Sequence, residues 1–234
     1  MKIISILIPV YNEKETILKI LDKIEKVDFS TVNFEKEIII IDDGSTDGTR
    51  EILQSIKNQY QILFNEKNLG KGGSLRRGIE LATGEWLITQ DADLEYEPQD
   101  IINLLKVTEQ PEVEVVYGSR TLNHNNKKRK YSGLIFAAGG LFVTWFTNLL
   151  YNTQITDEPT GYKLFKTRLI KNIPLTCQRF EFCPEVTAKI AKRKIKIYER
   201  PINYYPRHKD EGKKINWRDG WQAIWTLIKY KFID

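Results

Sequence analysis

The chain has 234 residues, 41% hydrophobic and 29% charged, enough apolar material for one large domain with its own core. Lysine plus arginine outnumber aspartate plus glutamate 36 to 31, a net charge of +5 that suits anionic substrates or an anionic membrane face and does not call for nucleic acid. Two cysteines, Cys177 and Cys183, and two histidines, His124 and His208, are too few and too scattered for a zinc cage, so reduced cytoplasmic thiols are expected.

The opening "MKIISILIPVYNE" has a short apolar run ending at Pro9 and no small-residue cleavage pattern, so it reads as a strand and not as a secretory signal. Short apolar runs at Ile3 to Pro9, Glu37 to Ile41, Gln61 to Phe64, Trp86 to Gln90 and Val113 to Tyr117 predict strands. Helices are expected between them, at Lys14 to Lys26, Thr49 to Lys57, Ser74 to Ala82 and Asp100 to Thr108. Strands apolar on both faces and separated by helices imply an α/β domain with a mostly parallel central sheet and helices on both faces. Ligands of such sheets bind beyond the carboxyl ends of the strands.

That rule gathers four polar loops onto one rim: "PVYNE", "DDGSTDGT", "NEKNLGKGG" and "DADLEY". Each alone is readable as a well-capped turn. Together, Tyr11 offers an aromatic face to a base, and Asp43 a carboxylate to a base or ribose. The glycines of "NLGKGGSLRRG" would let backbone approach a phosphate, with Lys71, Arg76 and Arg77 supplying positive charge. This stretch is not a dinucleotide fingerprint, because Leu75 stands where the third glycine belongs, and it lacks the GxxxxGK(S/T) spacing of a P-loop. Asp91 and Asp93, one residue apart at a strand end, suit a hard divalent cation that neutralises a diphosphate.

Farther along, the uncharged "LIFAAGGLFVTWFTNLLY", Leu134 to Tyr151, approaches the minimum length of a membrane span. Its two glycines, two threonines and asparagine favour a buried or membrane-contacting helix instead. At the end of the chain Trp217, Trp221 and Trp225 recur every four residues, Ile224, Ile228 and Phe232 extend the face, and Lys213, Lys214, Arg218, Lys229 and Lys231 flank it. Such a helix either packs on the domain or lies in the headgroup layer of a membrane. The expected division is a catalytic domain over 1–210 and this helix over 211–234.

The run "SILIPVYNE", "IIDDGSTDGT", "NLGKGGSLRRGIELATGEWLITQDADLEY", "VVYGSR", "DEPTGYKLF" and "RFEFCPEV" resembles the family-2 glycosyltransferases of GT-A fold, in particular their polyprenyl-phosphate (dolichol-phosphate sugar synthase-like) branch. The resemblance implies an inverting transferase that moves a hexose from UDP- or GDP-sugar to an acceptor, with Mg²⁺ or Mn²⁺. Pro9, Tyr11, Glu13, Ile41, Asp43, Lys71, Asp91 and Ala92 then correspond to the nucleotide site, and Asp91, Asp93 and Glu95 to the metal site. Arg120, Arg129, Arg207, Lys213 and Lys214 correspond to acceptor-phosphate contacts. A polyprenyl phosphate acceptor is already an anion and needs no strong base. A glycan or other hydroxyl acceptor would need one, for which Asp157, Glu181 and Glu185 are the candidates beside Arg120 in the catalytic set. A phosphatase of the haloacid dehalogenase type is disfavoured by Glu95 and by the three preceding strands. A non-catalytic membrane-associated binding module is the other alternative. The expected location is the cytoplasm, including peripheral contact with the inner face of the cytoplasmic membrane.

Overall fold

The computed structural model describes residues 1–122, 134–207 and 217–233. Its sheet has seven strands: β1 (Lys2–Val10), β2 (Phe34–Asp42), β3 (Gln61–Phe64), β4 (Trp86–Thr89), β5 (Val115–Ser119), β6 (Lys163–Lys166) and β7 (Ile197–Pro201), in the order β3-β2-β1-β4-β6-β5-β7. The four pairings β2–β3, β1–β2, β1–β4 and β5–β7 are parallel, whereas β6 runs antiparallel to both β4 and β5.

The alternation of side chains along β1 and β2 explains why both faces are covered. Ile4, Ile6, Ile8, Ile38 and Ile40 enter one buried cluster, and Leu7, Ile39 and Ile41 enter the other. Helix α1 (Ile17–Glu25) buries Ile17, Ile20, Leu21 and Ile24, a stripe at helical spacing, into the first cluster, joined there by α4 (Asp100–Leu105). On the opposite face lie α3 (Gly70–Leu81), α6 (Thr167–Lys171) and α7 (Phe182–Lys192), through Leu75, Ile79, Ile170, Phe182, Val186 and Ile190. The short α2 (Thr49–Ser55) precedes β3. A third, smaller cluster joins Val143 of α5 (Leu134–Tyr151), Ala188 of α7, and Leu227 and Tyr230 of α8 (Trp217–Phe232).

All five expected strands are present, with ends shifted by at most three residues. The expected helix at Ser74 begins four residues earlier, because Asp43 caps the amino end of α3. β6 and β7 were not anticipated. β6 is four residues with a lysine at each end, and β7 is an edge strand of partly exposed polar residues, a composition that keeps an edge from pairing with other chains. Lys163 is nevertheless fully buried, its Nζ donating to the Glu158 carbonyl at 2.7 Å and lying 3.6 Å from the Tyr117 ring centre. No helix among the described residues is long and apolar enough to cross a membrane.

Candidate active site

Strand order reverses between the parallel strands β1 and β4, whose neighbours depart to opposite sides of the sheet. The carboxyl ends of these two strands therefore flank the crevice where such sheets bind ligands. From β1 come Pro9, Tyr11 and Glu13, and from β4 come Asp91, Ala92 and Asp93. Backbone turns aim both loops, with Asn12 at φ 51° and Leu94 at φ 64° in the left-handed region, where side chains other than glycine are strained.

Arg207 ties the two loops together. Its guanidinium meets Glu13 at 3.1 and 3.2 Å and Asp93 at 3.4 Å. Glu13 also accepts the Thr16 hydroxyl at 2.7 Å, and its backbone N–H donates to the Thr49 hydroxyl at 2.9 Å. Lys71, in the first turn of α3, forms an ion pair with Asp91. Burial works to lower the Lys71 pKa, and the Asp91 carboxylate overrides it and raises the value. For Asp93, burial first and then the Asp91 and Glu95 carboxylates push its acid up to about 7. Glu95 turns aside, accepting the Tyr204 hydroxyl and the Arg207 backbone N–H, each at 2.8 Å. Among the described residues no three His, Cys, Asp or Glu side chains are gathered as a metal cluster.

Beneath this rim sits an aromatic floor that sequence reasoning missed. Tyr96 stacks on Tyr162 with ring centres 4.8 Å apart, contacts Tyr204 at 5.3 Å, and accepts the Gly161 N–H at 2.8 Å. Tyr162 donates to the Gln90 side-chain oxygen, and Thr89 to the Gly161 carbonyl. The segments "DADLEY" and "TGYK" are legible as motifs, but the stacking of Tyr96 on Tyr162 depends on the antiparallel β6, which was not expected.

The glycine-rich stretch departs from its expectation. Gly72 and Gly73 donate their N–H groups to the carbonyls of Arg179 and Gln178, at 3.0 and 2.9 Å. A Cβ on Gly70 would run into the Gln178 oxygen, and one on Gly72 would stand 2.8 Å from that of Arg179. The close approach these glycines permit is thus to the segment before α7, and not to an open phosphate cradle. Asp43 is likewise committed, accepting from Asn65 and from the backbone N–H groups of Leu69 and Gly70, all at 2.8 Å. It fixes the amino end of α3, and with it Lys71. The side chains of Ile41 and Ala92 lie in the core, at 0% and 3% exposure, so neither presents a side chain to the rim. Pro9 and Tyr11 are half-buried at the edge. Arg76 is exposed, and Arg77 contacts the Asn65 side chain.

Arg120 and Asp157 form one unit. The Asp157 carboxylate accepts the Arg120 backbone N–H and Nε at 2.8 Å and Nη2 at 2.7 Å, while the guanidinium lies 5.0 Å from the Tyr204 ring centre. The carboxylate is thus engaged on both oxygens in holding the Arg120 side chain and backbone. Glu181 accepts the backbone N–H groups of Gln178 and Arg179 at 2.8 and 3.0 Å, pinning the segment that meets the glycines. Glu185 is wholly buried, bound to Lys189 and to the backbone of Thr176 and Cys177. Arg129, Lys213 and Lys214 lie outside the described residues. A cavity of about 560 Å³, lined by Thr83, Glu85, Lys166 and Arg168, opens at the far end of the sheet and shares no residue with the rim.

This architecture is that of the GT-A glycosyltransferases. The chain aligns over its whole length with 81% of glucosyl-3-phosphoglycerate synthase from Mycobacterium tuberculosis in complex with UDP, at a TM-score of 0.75 and 18% identity, a likeness of fold. The chain belongs to glycosyl transferase family 2, whose family model matches residues 5–173. It is 27% identical over 250 residues to UDP-N-acetylglucosamine–dolichyl-phosphate N-acetylglucosaminyltransferase of Methanococcus voltae, covering 98% of this chain and 96% of that protein. It is also 27% identical to a dolichyl-phosphate beta-glucosyltransferase of Trichomonas vaginalis, covering 91% of this chain and 68% of the relative.

Proposed function

We propose that this enzyme transfers a hexose from a nucleoside-diphosphate sugar to a polyprenyl phosphate, with inversion at the anomeric carbon. The observation that carries the acceptor class is the state of the three carboxylates a hydroxyl acceptor would need as base. Asp157 is paired to Arg120, Glu181 to backbone N–H groups and Glu185 to Lys189. A phosphate acceptor is ionised near neutral pH and attacks without such a base. The dolichyl-phosphate transferases among the relatives support the same reading.

Asp91 and Asp93 are the residues that would hold Mg²⁺ or Mn²⁺. Their hard oxygen donors fit, and the crowding of Asp91, Asp93 and Glu95 that raises the Asp93 pKa is what a divalent cation would relieve. Structures of the mycobacterial synthase hold Mn²⁺ or Mg²⁺ with UDP. Such an ion, when bound, supplies charge stabilisation to the departing diphosphate. Lys71, fixed by the cap that Asp43 provides, adds a cation on the same side. Pro9, Tyr11 and Glu13 edge the nucleotide, and Arg120, held flat between Asp157 and Tyr204, orients the acceptor phosphate. Arg207, with Arg129, Lys213 and Lys214, completes the acceptor contacts.

The test is a donor panel of UDP-glucose, UDP-N-acetylglucosamine and GDP-mannose, with Mg²⁺ or Mn²⁺, against undecaprenyl phosphate and undecaprenol. Product is expected with the phosphate, and none with the alcohol. Transfer to the alcohol alone would overturn the acceptor assignment.

A further inference from the structure

The expectation for the last helix is that it packs on the domain or faces a membrane, and α8 has one packed face and one exposed apolar face. Along α8, Leu227 and Tyr230 are buried against Val143 and Ala188, while Trp221, Trp225 and Phe232 are 70%, 66% and 83% exposed. At about 100° per residue these three fall within one narrow stripe, opposite the buried one. Ile224, expected on the tryptophan face, packs against the buried cluster instead. α5 repeats the arrangement: Val143, Thr144 and Thr147 face inward, and Leu141, Phe142, Trp145 and Leu149 are 52–63% exposed on the other side. The two helices are joined by Tyr151, whose hydroxyl donates to the Leu227 carbonyl at 2.6 Å.

We infer that these paired apolar ridges dock the protein on an anionic lipid surface, with the indoles of Trp145, Trp221 and Trp225 in the headgroup layer. Charge selects this occupant over a second copy of the chain. Arg218, Lys229 and Lys231 are exposed and flank the α8 stripe on both sides, and Lys192 reaches the Ile233 carbonyl at 3.0 Å at the helix end. Among the described residues of α5 and α8 the single carboxylate is Asp219, buried and 3.9 Å from Arg179. Two copies meeting through this face would bring cation to cation, whereas acidic headgroups meet an apolar stripe edged by lysines. The inner face of α5 also carries the site: the Thr144 hydroxyl accepts the Glu158 N–H at 3.0 Å, next to the Asp157–Arg120 pair. Docking here thus places the rim beside the bilayer that would hold a lipid-linked acceptor. The proposal extends the lipid-phosphate reading, and the two fail separately.

The experiment uses the full chain with neither donor nor acceptor. Sedimentation with phosphatidylglycerol-rich vesicles is expected to pellet the protein, phosphatidylcholine vesicles to leave it in solution, and brominated lipid to quench its tryptophan fluorescence. The doubly substituted Trp221→Ala, Trp225→Ala chain is expected to bind at least about 10-fold more weakly, with an unchanged circular dichroism spectrum. It should retain transfer to a short, water-soluble prenyl phosphate. Absence of vesicle binding by the parent chain, or equal binding by the variant, overturns the proposal. So does a dimer in sedimentation equilibrium that the two substitutions dissolve. Loss of transfer to the soluble acceptor in the parent chain refutes the acceptor reading and leaves docking standing.

Discussion

Gly161→Ala is the sharpest probe of the site, because it alters a residue that has no side chain and no titratable group. A Cβ at this position would lie 2.7 Å from Asp91 Oδ2 and 2.9 Å from the Tyr96 ring. Its backbone φ is not in the left-handed region, so the cost is steric and not conformational. Tyr96 is 3% exposed and stacked on Tyr162, which leaves Asp91 as the group that moves. Restoring an ordinary contact of 3.4 Å requires a shift of about 0.7 Å, enough to strain the Lys71 pair and displace the carboxylate from its working position. Overpacking of this kind costs about 1–3 kcal/mol, or a few degrees per kcal/mol in melting temperature for a chain of this size. Misplacement of a reacting group by about 1 Å costs up to about 100-fold in rate, so transfer is expected to fall about 10- to 100-fold. Gly139→Ala in α5 is the control, since a Cβ there meets nothing within 4 Å. Steady-state transfer and thermal unfolding of both variants decide it. A folded Gly161→Ala enzyme with parental kcat/KM would refute the argument that Asp91 is held in place for catalysis.

Asp91→Asn is expected to lower transfer at least about 100-fold while the chain stays folded, checked by the same assay across a Mg²⁺ and Mn²⁺ titration. Arg120→Ala leaves Asp157, whose side chain is 5% exposed, without its ion pair. Loss of about 3–5 kcal/mol is expected in urea unfolding, with Arg120→Lys recovering only part because it lacks the bidentate fork. Glu185 gives a pH signature. Burial opposes its charge, but Lys189 and the backbone N–H groups of the Thr176 segment win and hold its pKa below the ordinary 4.5. A depressed carboxylate contributes stability that is complete above its unfolded pKa and is lost as pH falls through the folded one. Unfolding free energy should therefore decline below about pH 4.5 in the parent, and a Glu185→Gln chain should show a shallower decline in the same titration.

How much of this was legible in the sequence follows from what kind of interaction sets each feature. β1 and β2 announce themselves because parallel strands covered on both faces are unbroken apolar runs, and α1 because Ile17, Ile20, Leu21 and Ile24 repeat at helical spacing. β6 and β7 carry no such signal: the sheet pairs them through backbone groups, and Lys163 is buried only because the Glu158 carbonyl and the Tyr117 ring receive it. The rim was legible as a set of loops, since strand direction alone places their ends together. The partners within it were not. Nothing local to "DDGSTDGT" tells that Asp43 turns to Leu69 and Gly70, and nothing in "KGG" tells that Arg179 and Gln178 lie across it.

The same distinction bears on the three base candidates. A carboxylate in a motif advertises negative charge, but reactivity depends on what that charge already holds. In Asp157 it holds the guanidinium that stacks on Tyr204, and Tyr204 in turn donates to Glu95, so the apparent base and the apparent third metal ligand are opposite ends of one relay. The ring serves the Arg120 end and the hydroxyl the Glu95 end, so substitution can separate them. Tyr204→Phe removes the hydroxyl from Glu95 while preserving the ring under Arg120. Its expected effect is therefore a changed metal-ion requirement with little change in the Michaelis constant for a phosphate acceptor. Tyr204→Ala removes both, and should raise that Michaelis constant as well. Equal kinetics for the two variants, measured with donor saturating, would refute the separate roles of ring and hydroxyl.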